Sequence, residues 1–166
     1  MAKVRTAVPA DAERIGEIHI RSWQKAYEGI LPTDFLASLS LEARVERWRT
    51  DLESMGAKNL ALVIENGSSI DGFARLSPSA DRNDGEVQAI YLDPGRWRRG
   101  LGRLLMTAAE EFLAELGWEE AILWVLEKNE SARRFYEALG WQVEPHRALL
   151  NIGGADVQEI RYRKVL

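Results

Sequence analysis

Four arginines and two glycines crowd one short stretch: Arg96, Arg98, Arg99 and Arg103 surround Gly100 and Gly102. That combination suits the binding of a small phosphorylated molecule. Guanidiniums supply charge, and glycines let backbone amides approach an anion closely. The stretch lies between an apolar run, Val87 to Leu92, and a segment in which Leu101, Leu104, Leu105, Ala108 and Ala109 recur at helical spacing. Asp93-Pro94-Gly95 breaks the run, because proline cannot donate to a strand ladder and glycine tolerates the turn. The pattern predicts a buried strand, a basic glycine loop and the start of a helix. Such a helix end carries unpaired amides and partial positive charge, which favour phosphate.

Several other chemistries are disfavoured. The lysine-serine or lysine-threonine of a nucleoside-triphosphate loop is missing after the glycines, so Mg-nucleotide hydrolysis is not expected. The glycine spacing is not that of a dinucleotide fingerprint, and no βαβ unit opens the chain. A formal net charge of −4 argues against nucleic acid as a partner. A local basic cluster on an acidic chain fits a small polyanion better. The absence of cysteine excludes disulfides, thiol nucleophiles and cysteine-ligated metal, and His19 and His146 make no metal-ligand spacing. No metal is expected. The start of the chain lacks the apolar core of a signal peptide, and no run approaches membrane-spanning length. The expectation is a cytoplasmic protein without a membrane partner.

The elements that must position the loop follow in order. With 166 residues, 46% hydrophobic and 29% charged, one ordinary globular domain is expected, spanning 1–166. Lys3 to Val8 reads as a strand, and Ile15, Ile18, Ser22, Trp23 and Ala26 mark one face of a helix ending near Tyr27. Pro32-Thr-Asp starts a short helical piece containing Phe35. Ser40 can cap a further helix carrying Leu41, Val45, Trp48 and Leu52. Leu60 to Glu65 and Ile70 to Leu76, joined by Asn66-Gly67, form a β-hairpin. Ser77 to Asp84 reads as a polar loop. Beyond the glycine loop come a helix to about Leu116, a strand Ala121 to Val125 and a helix capped at Asn129. Trp141 to Ile152 and Val157 to Val165 close the chain as a hairpin. The fold class is α/β (α+β): a mixed, mostly antiparallel sheet of about seven strands with about four helices, its β-α-β crossover in the second half.

Two segments together resemble the GNAT N-acetyltransferase superfamily. Ile90-Tyr-Leu-Asp-Pro followed by Arg98-Arg-Gly-Leu-Gly-Arg-Leu-Leu looks like that family's acetyl-coenzyme-A loop. Asn129-x-Ser-Ala-x-x-Phe-Tyr, closing on Gly140-Trp, looks like its second signature. The resemblance implies acetyl-CoA as cosubstrate, a coenzyme-binding core over 85–141, and an acceptor side built mainly by 1–56. It implies coenzyme contacts from Ile90, Tyr91, Leu92, Trp97, Arg98, Arg99, Gly100, Leu101, Gly102, Arg103 and Asn129. One departure stands out: Trp97 occupies a loop position where the family usually has glutamine or arginine.

The implied reaction moves an acetyl group from acetyl-CoA to a primary amine by direct attack. The acceptor would be a polyamine, an amino acid, an antibiotic or a peptide N-terminus. Tyr136 matches the family tyrosine that protonates the departing thiolate; read alone it is equally a core aromatic beside Phe135. Asn129 can both contact coenzyme and cap its helix. Glu86, opening the strand that leads to the loop, is where many relatives carry the base, and it also reads as a plain strand-end carboxylate. Glu127, His19 and His146 are weaker alternatives. Trp23, Tyr27 and Phe35 are candidates for the acceptor wall or for simple packing. Family members often dimerise, and Trp118 or Trp141, if exposed, could support a homodimer. The alternative function is an acyl-CoA-binding or sensing domain without turnover.

Overall fold

The computed structural model describes residues 1–80 and 83–166. Seven strands lie in one sheet in the spatial order β1 (Ala2–Thr6), β2 (Leu60–Asn66), β3 (Ser69–Pro78), β4 (Gly85–Leu92), β5 (Glu120–Leu126), β7 (Ala155–Val165) and β6 (Gln142–Ile152). The β4–β5 pair is parallel, and the other neighbouring pairs are antiparallel. Five α-helices complete the fold: α1 (Ala12–Ala26), α2 (Thr33–Ala37), α3 (Leu41–Ser54), α4 (Leu101–Glu115) and α5 (Glu130–Ala138). The short piece after Pro32 is the fifth helix, α2. The loop read over Ser77 to Asp84 starts late, because β3 continues to Pro78; Asp81 and Arg82 in it lie outside the described residues.

Helices cover both faces of the sheet, so β2 reads as a near-continuous apolar run rather than an alternating one. Leu62 and Ile64 point to the side of α4, where Leu105, Met106, Ala109 and Leu113 are buried. Ala61 and Val63 point to the other side, against Ile15 and Ile18 of α1 and Trp48 of α3. Each such large side chain removed from water contributes roughly 1.5–3 kcal/mol. A third cluster joins Tyr27, Leu31 and Leu36 to Leu126 and Val157, closing the α1–α2 end over β5 and β7.

Three sequence expectations are corrected. Leu104 is exposed and Met106 takes its place in the core. Leu41, likewise placed on a buried face, is exposed at the first turn of α3. Trp141 is buried, with its indole Nε1 donating to Glu110 at 2.9 Å, so it offers no dimer seam. The reason is common to all three: a helix face or a strand end is turned in or out by its neighbours, which spacing alone does not specify.

Candidate active site

The apolar run predicts a β4 buried along its length, but only Gly85 and Val87 are buried. Its remaining residues are half-buried or exposed because β5 leaves it early. The two strands pair only at Gly85 with Ala121 and Glu86 with Ile122, and then part. On the other edge β4 stays paired with β3 as far as Leu92. The register there slips between Arg75 opposite Ala89 and Leu76 opposite Val87, leaving Gln88 as an extra, bulged residue. Asp93 N–H donates to the Asp71 carbonyl on the β3 side. Alternation along an antiparallel ladder then directs the backbone groups of Ile90 and Leu92 away from β3, into the gap. The Leu92 carbonyl accepts from Ser22 Oγ at 2.8 Å and from Trp97 Nε1 at 3.0 Å.

The loop that follows is anchored by two carboxylates. Asp93 is buried; it accepts from the Gly95 amide and receives Arg14 at 2.7 Å and Arg21 at 2.9 Å, both from α1. Burial alone would raise its pKa, but the Gly95 amide and the two guanidiniums outweigh that and hold it below the usual carboxylate range. Arg96 pairs with the fully buried Asp71 at 3.2 Å. Of the four clustered arginines, Arg96 is thus an anchor. Arg98 adopts a positive φ of 63°, rare for a side-chain-bearing residue, and Gly100 follows at 78° as the residue preceding α4. Gly102 sits where a Cβ would come within 3.2–3.4 Å of Phe135 and Leu92, so a larger residue would press on both. The loop presents α4's first amides to the gap, the arrangement that suits a phosphate.

A cavity of about 750 Å³ opens at the gap, within the range of cofactor and small-molecule sites. It brings together Ile90, Tyr91, Leu92, Trp97, Arg98, Gly100, Gly102, Arg103, Asn129 and Tyr136, with Trp23 and Tyr27. Four expected site residues do not line it. Leu101 is buried in the core under α4. Arg99 points to solvent. Phe35 packs instead over Gly153 in the β6–β7 turn. Glu86 stands at the closed end of the β4–β5 pair, where the strands are still joined. Asn129 caps α5 through Oδ1, accepting from Ala132 N–H at 3.2 Å, which leaves its amide nitrogen for the cavity.

Two faces of the sheet meet in this cavity. Tyr136 comes from the α4–α5 face, packed by Phe135 and Tyr162. Burial, reinforced by Tyr91, holds its hydroxyl well above the ordinary phenol range, so it stays protonated. From the opposite face come Trp23, Tyr27, Tyr91, Trp124 and Glu159. The Tyr27 and Tyr91 hydroxyls are 2.8 Å apart. Burial raises both, Tyr27 further because Tyr91 adds to it. Burial also raises the Glu159 carboxyl. His19 lies beneath this floor: its ring stacks on Tyr91 and its Nδ1 accepts from Trp48 Nε1 at 3.0 Å. Burial, with Arg44 and Arg75 nearby, pushes it down to about 3. A neutral ring serving as a hydrogen-bond acceptor is packing, not a base.

Sequence reading missed Glu159 and the Tyr91 side chain. A signal for the first existed: on β7 Glu159 shares its phase with Val157, two residues earlier, so an apolar inward position is followed by a carboxylate facing the same way.

The comparisons with known proteins bear directly on this geometry. The model of the acetyltransferase (GNAT) family matches residues 15–141. The chain belongs to that family. Its acyltransferase class follows from the membership, and its relatives agree. It is 35% identical over 141 residues to the uncharacterized N-acetyltransferase YuaI of Bacillus subtilis, covering 83% of this chain and 79% of that one. It is 26% identical over 145 residues to the spermidine N(1)-acetyltransferase of Thermoplasma acidophilum, covering 86% and 89%. The fold matches the PaiA N-acetyltransferase of T. acidophilum, solved in complex with coenzyme A, with a TM-score of 0.80 at 24% identity over 100% and 99% of the two chains. It also matches yncA of Salmonella typhimurium, solved with acetyl-CoA, at a TM-score of 0.73 and 18% identity over 99% and 94%. Among the described residues no helix is long and apolar enough to cross a membrane, and no acidic or histidine cluster has the makings of a metal site.

Proposed function

We propose that this GNAT-family chain transfers an acetyl group from acetyl-CoA to a primary amine, with Tyr136 as the general acid. The observation that carries the reading is Tyr136 lining a cavity at the point where β4 and β5 part, next to the glycine loop. Fit to the coenzyme rests on this chain's own residues: the strained Arg98 backbone, the left-handed Gly100, and a cavity wall that includes Arg98 and Arg103. Acetyl-CoA supplies an activated thioester when bound.

The protein's part is positioning and proton transfer. The loop and α4's first amides hold pyrophosphate, with Arg98 and Arg103 adding charge. Backbone groups of Ile90 and Leu92 facing the gap would orient the pantetheine arm, and the Ile90 amide would polarise the thioester carbonyl. Trp97, by donating to the Leu92 carbonyl, ties the loop to the end of β4. Tyr136, kept neutral by burial, donates a proton as the C–S bond breaks.

The test has two readouts. Acetyl-CoA should raise the melting temperature, and free CoA should appear with at least one member of a broad amine panel. Absence of binding at millimolar acetyl-CoA sinks the reading. Tight binding without turnover across the panel supports an acyl-CoA-sensing domain in its place.

A further inference from the structure

The acceptor is the part of the reaction least visible in the chain, and the cavity wall opposite Tyr136 speaks to it. Of the charged residues that line the cavity, Lys25, Arg98 and Arg103 are cationic, and Glu159 is the one carboxylate among the described residues. The Glu159 side chain makes no ion pair or hydrogen bond among the described residues. Its neighbours on β7 are otherwise occupied: Arg161 pairs with Glu144 at 2.6 Å, with its guanidinium over the Trp124 ring. Glu159 is half-buried beside aromatic walls from Trp23, Tyr27, Tyr91 and Trp124. The hydroxyls of Tyr27 and Tyr91 both sense its charge.

A lone carboxylate in an apolar cavity is costly unless a cation meets it. Burial accordingly raises its proton affinity, which brings it nearer to that of an amine. Aromatic faces are attracted to the same cation. We propose that Glu159 is the acceptor-side carboxylate of this site, holding the ammonium of a singly charged amine with an apolar body and taking its proton before acetyl transfer. This rests on the acetyltransferase reading above.

The single charge is part of the inference. A polyamine would bring a second ammonium, and among the described residues the cavity wall offers it no second carboxylate. Other carboxylates are already engaged: Glu28 pairs with Lys25 at 3.8 Å, and in a separate cavity of about 150 Å³ Glu127 pairs with Arg147 at 3.1 Å and Asp156 accepts from Asn151 at 2.8 Å.

The proton balance closes. Glu159 accepts one proton from the ammonium and later releases it to solvent. The neutral nitrogen then attacks the thioester carbon. As the C–N bond forms and the C–S bond breaks, Tyr136 gives its proton to the thiolate and recovers the second proton shed by the nitrogen. The products are an N-acetyl amide, free CoA and one proton.

The experiment compares wild type with Glu159→Gln, using phenethylamine, its neutral isostere phenethyl alcohol, and spermidine. Wild type should acetylate phenethylamine with the higher kcat/KM of the two amines. The glutamine variant should lose roughly 10- to 100-fold in kcat/KM, the scale of a buried charge-assisted hydrogen bond. Its acetyl-CoA-induced melting shift should be unchanged. Calorimetric competition adds a readout that a merely structural role would not move. Wild type should bind the amine at least about tenfold tighter than the alcohol, and the variant should not distinguish them. An unchanged kcat/KM, equal wild-type affinities for amine and alcohol, or a preference for spermidine overturns the proposal. Should the variant fail to fold, the two wild-type comparisons decide. Should acetyl-CoA bind but no amine turn over, the acetyltransferase reading fails separately, and the competition experiment still judges Glu159.

Discussion

The hydroxyls of Tyr27, at the end of α1, and Tyr91, on β4, lie 2.8 Å apart and join the two halves of the cavity floor. This bond links the helix proposed to carry the acceptor wall to the strand that leads into the glycine loop. Tyr27 is buried and Tyr91 half-buried, so removing one hydroxyl leaves the other without its partner. Tyr27→Phe and Tyr91→Phe should each cost about 1–3 kcal/mol of stability. The double variant should cost less than the sum, with a coupling of about 1 kcal/mol in a denaturation cycle. Strict additivity would show that the pair contributes nothing as a pair.

Tyr136→Phe keeps the ring that packs between Phe135 and Tyr162 and removes only the proton donor. Turnover should fall by roughly 10²-fold or more, the usual scale for a general acid. Affinity for acetyl-CoA by calorimetry should stay within about twofold, as expected for a group used only in the transition state. An unaltered kcat would remove Tyr136 from the chemistry.

Asp93 holds the glycine loop to α1 through Arg14 and Arg21. Asp93→Asn leaves two guanidiniums facing a neutral amide and should destabilise by about 3 kcal/mol. Because the loop loses its tether, affinity for acetyl-CoA should weaken as well. The sign with pH follows from its lowered pKa. The native state binds fewer protons there, so the Asp93 contribution is complete above the ordinary carboxylate range and is lost as pH falls through the folded-state value. Urea melts of wild type and variant should therefore converge on acidification.

His19 should make the fold acid-sensitive above the carboxylate range. Its pKa is pushed from 6.5 down to about 3, so the unfolded chain takes up a proton that the native state refuses. Stability should fall as pH drops below 6.5, with a slope of up to about 1.4 kcal/mol per pH unit from this one site. His19→Phe should flatten that part of the curve while lowering stability near neutrality, since it removes the acceptor of the Trp48 N–H. Denaturation midpoints between pH 4 and 7, on the order of one site's linkage, provide the check; identical slopes would argue against a buried neutral imidazole.

Much of the proposed coenzyme side is legible in the order of the residues. Proline and glycine punctuate the chain locally, so Asp93-Pro-Gly, the glycines of the loop and the Asn129 cap report the strand–loop–helix unit and the second helix from neighbouring residues alone. The proposed acceptor side is less legible. Trp23 and Tyr27 reach the cavity while Phe35 packs on the β6–β7 turn, yet all three are aromatic residues on the same helical pair. Nothing in their spacing distinguishes a cavity wall from a core.

What the chain determines by itself is therefore its elements, its family and the glycine loop, all carried by short-range patterns of apolar spacing, turns and caps. Tertiary structure alone decided three things. It parted β4 from β5 after two paired residues, which no one-strand pattern encodes. It spent Arg96 on the buried Asp71 and left Arg98 and Arg103 on the cavity wall. And it brought Glu159, from the last strand, to the same cavity as Tyr136 and Tyr27. The physical reason is one of range: local geometry is set by neighbours in the chain, whereas burial, ion pairing and proton affinity depend on residues brought together from distant parts of it.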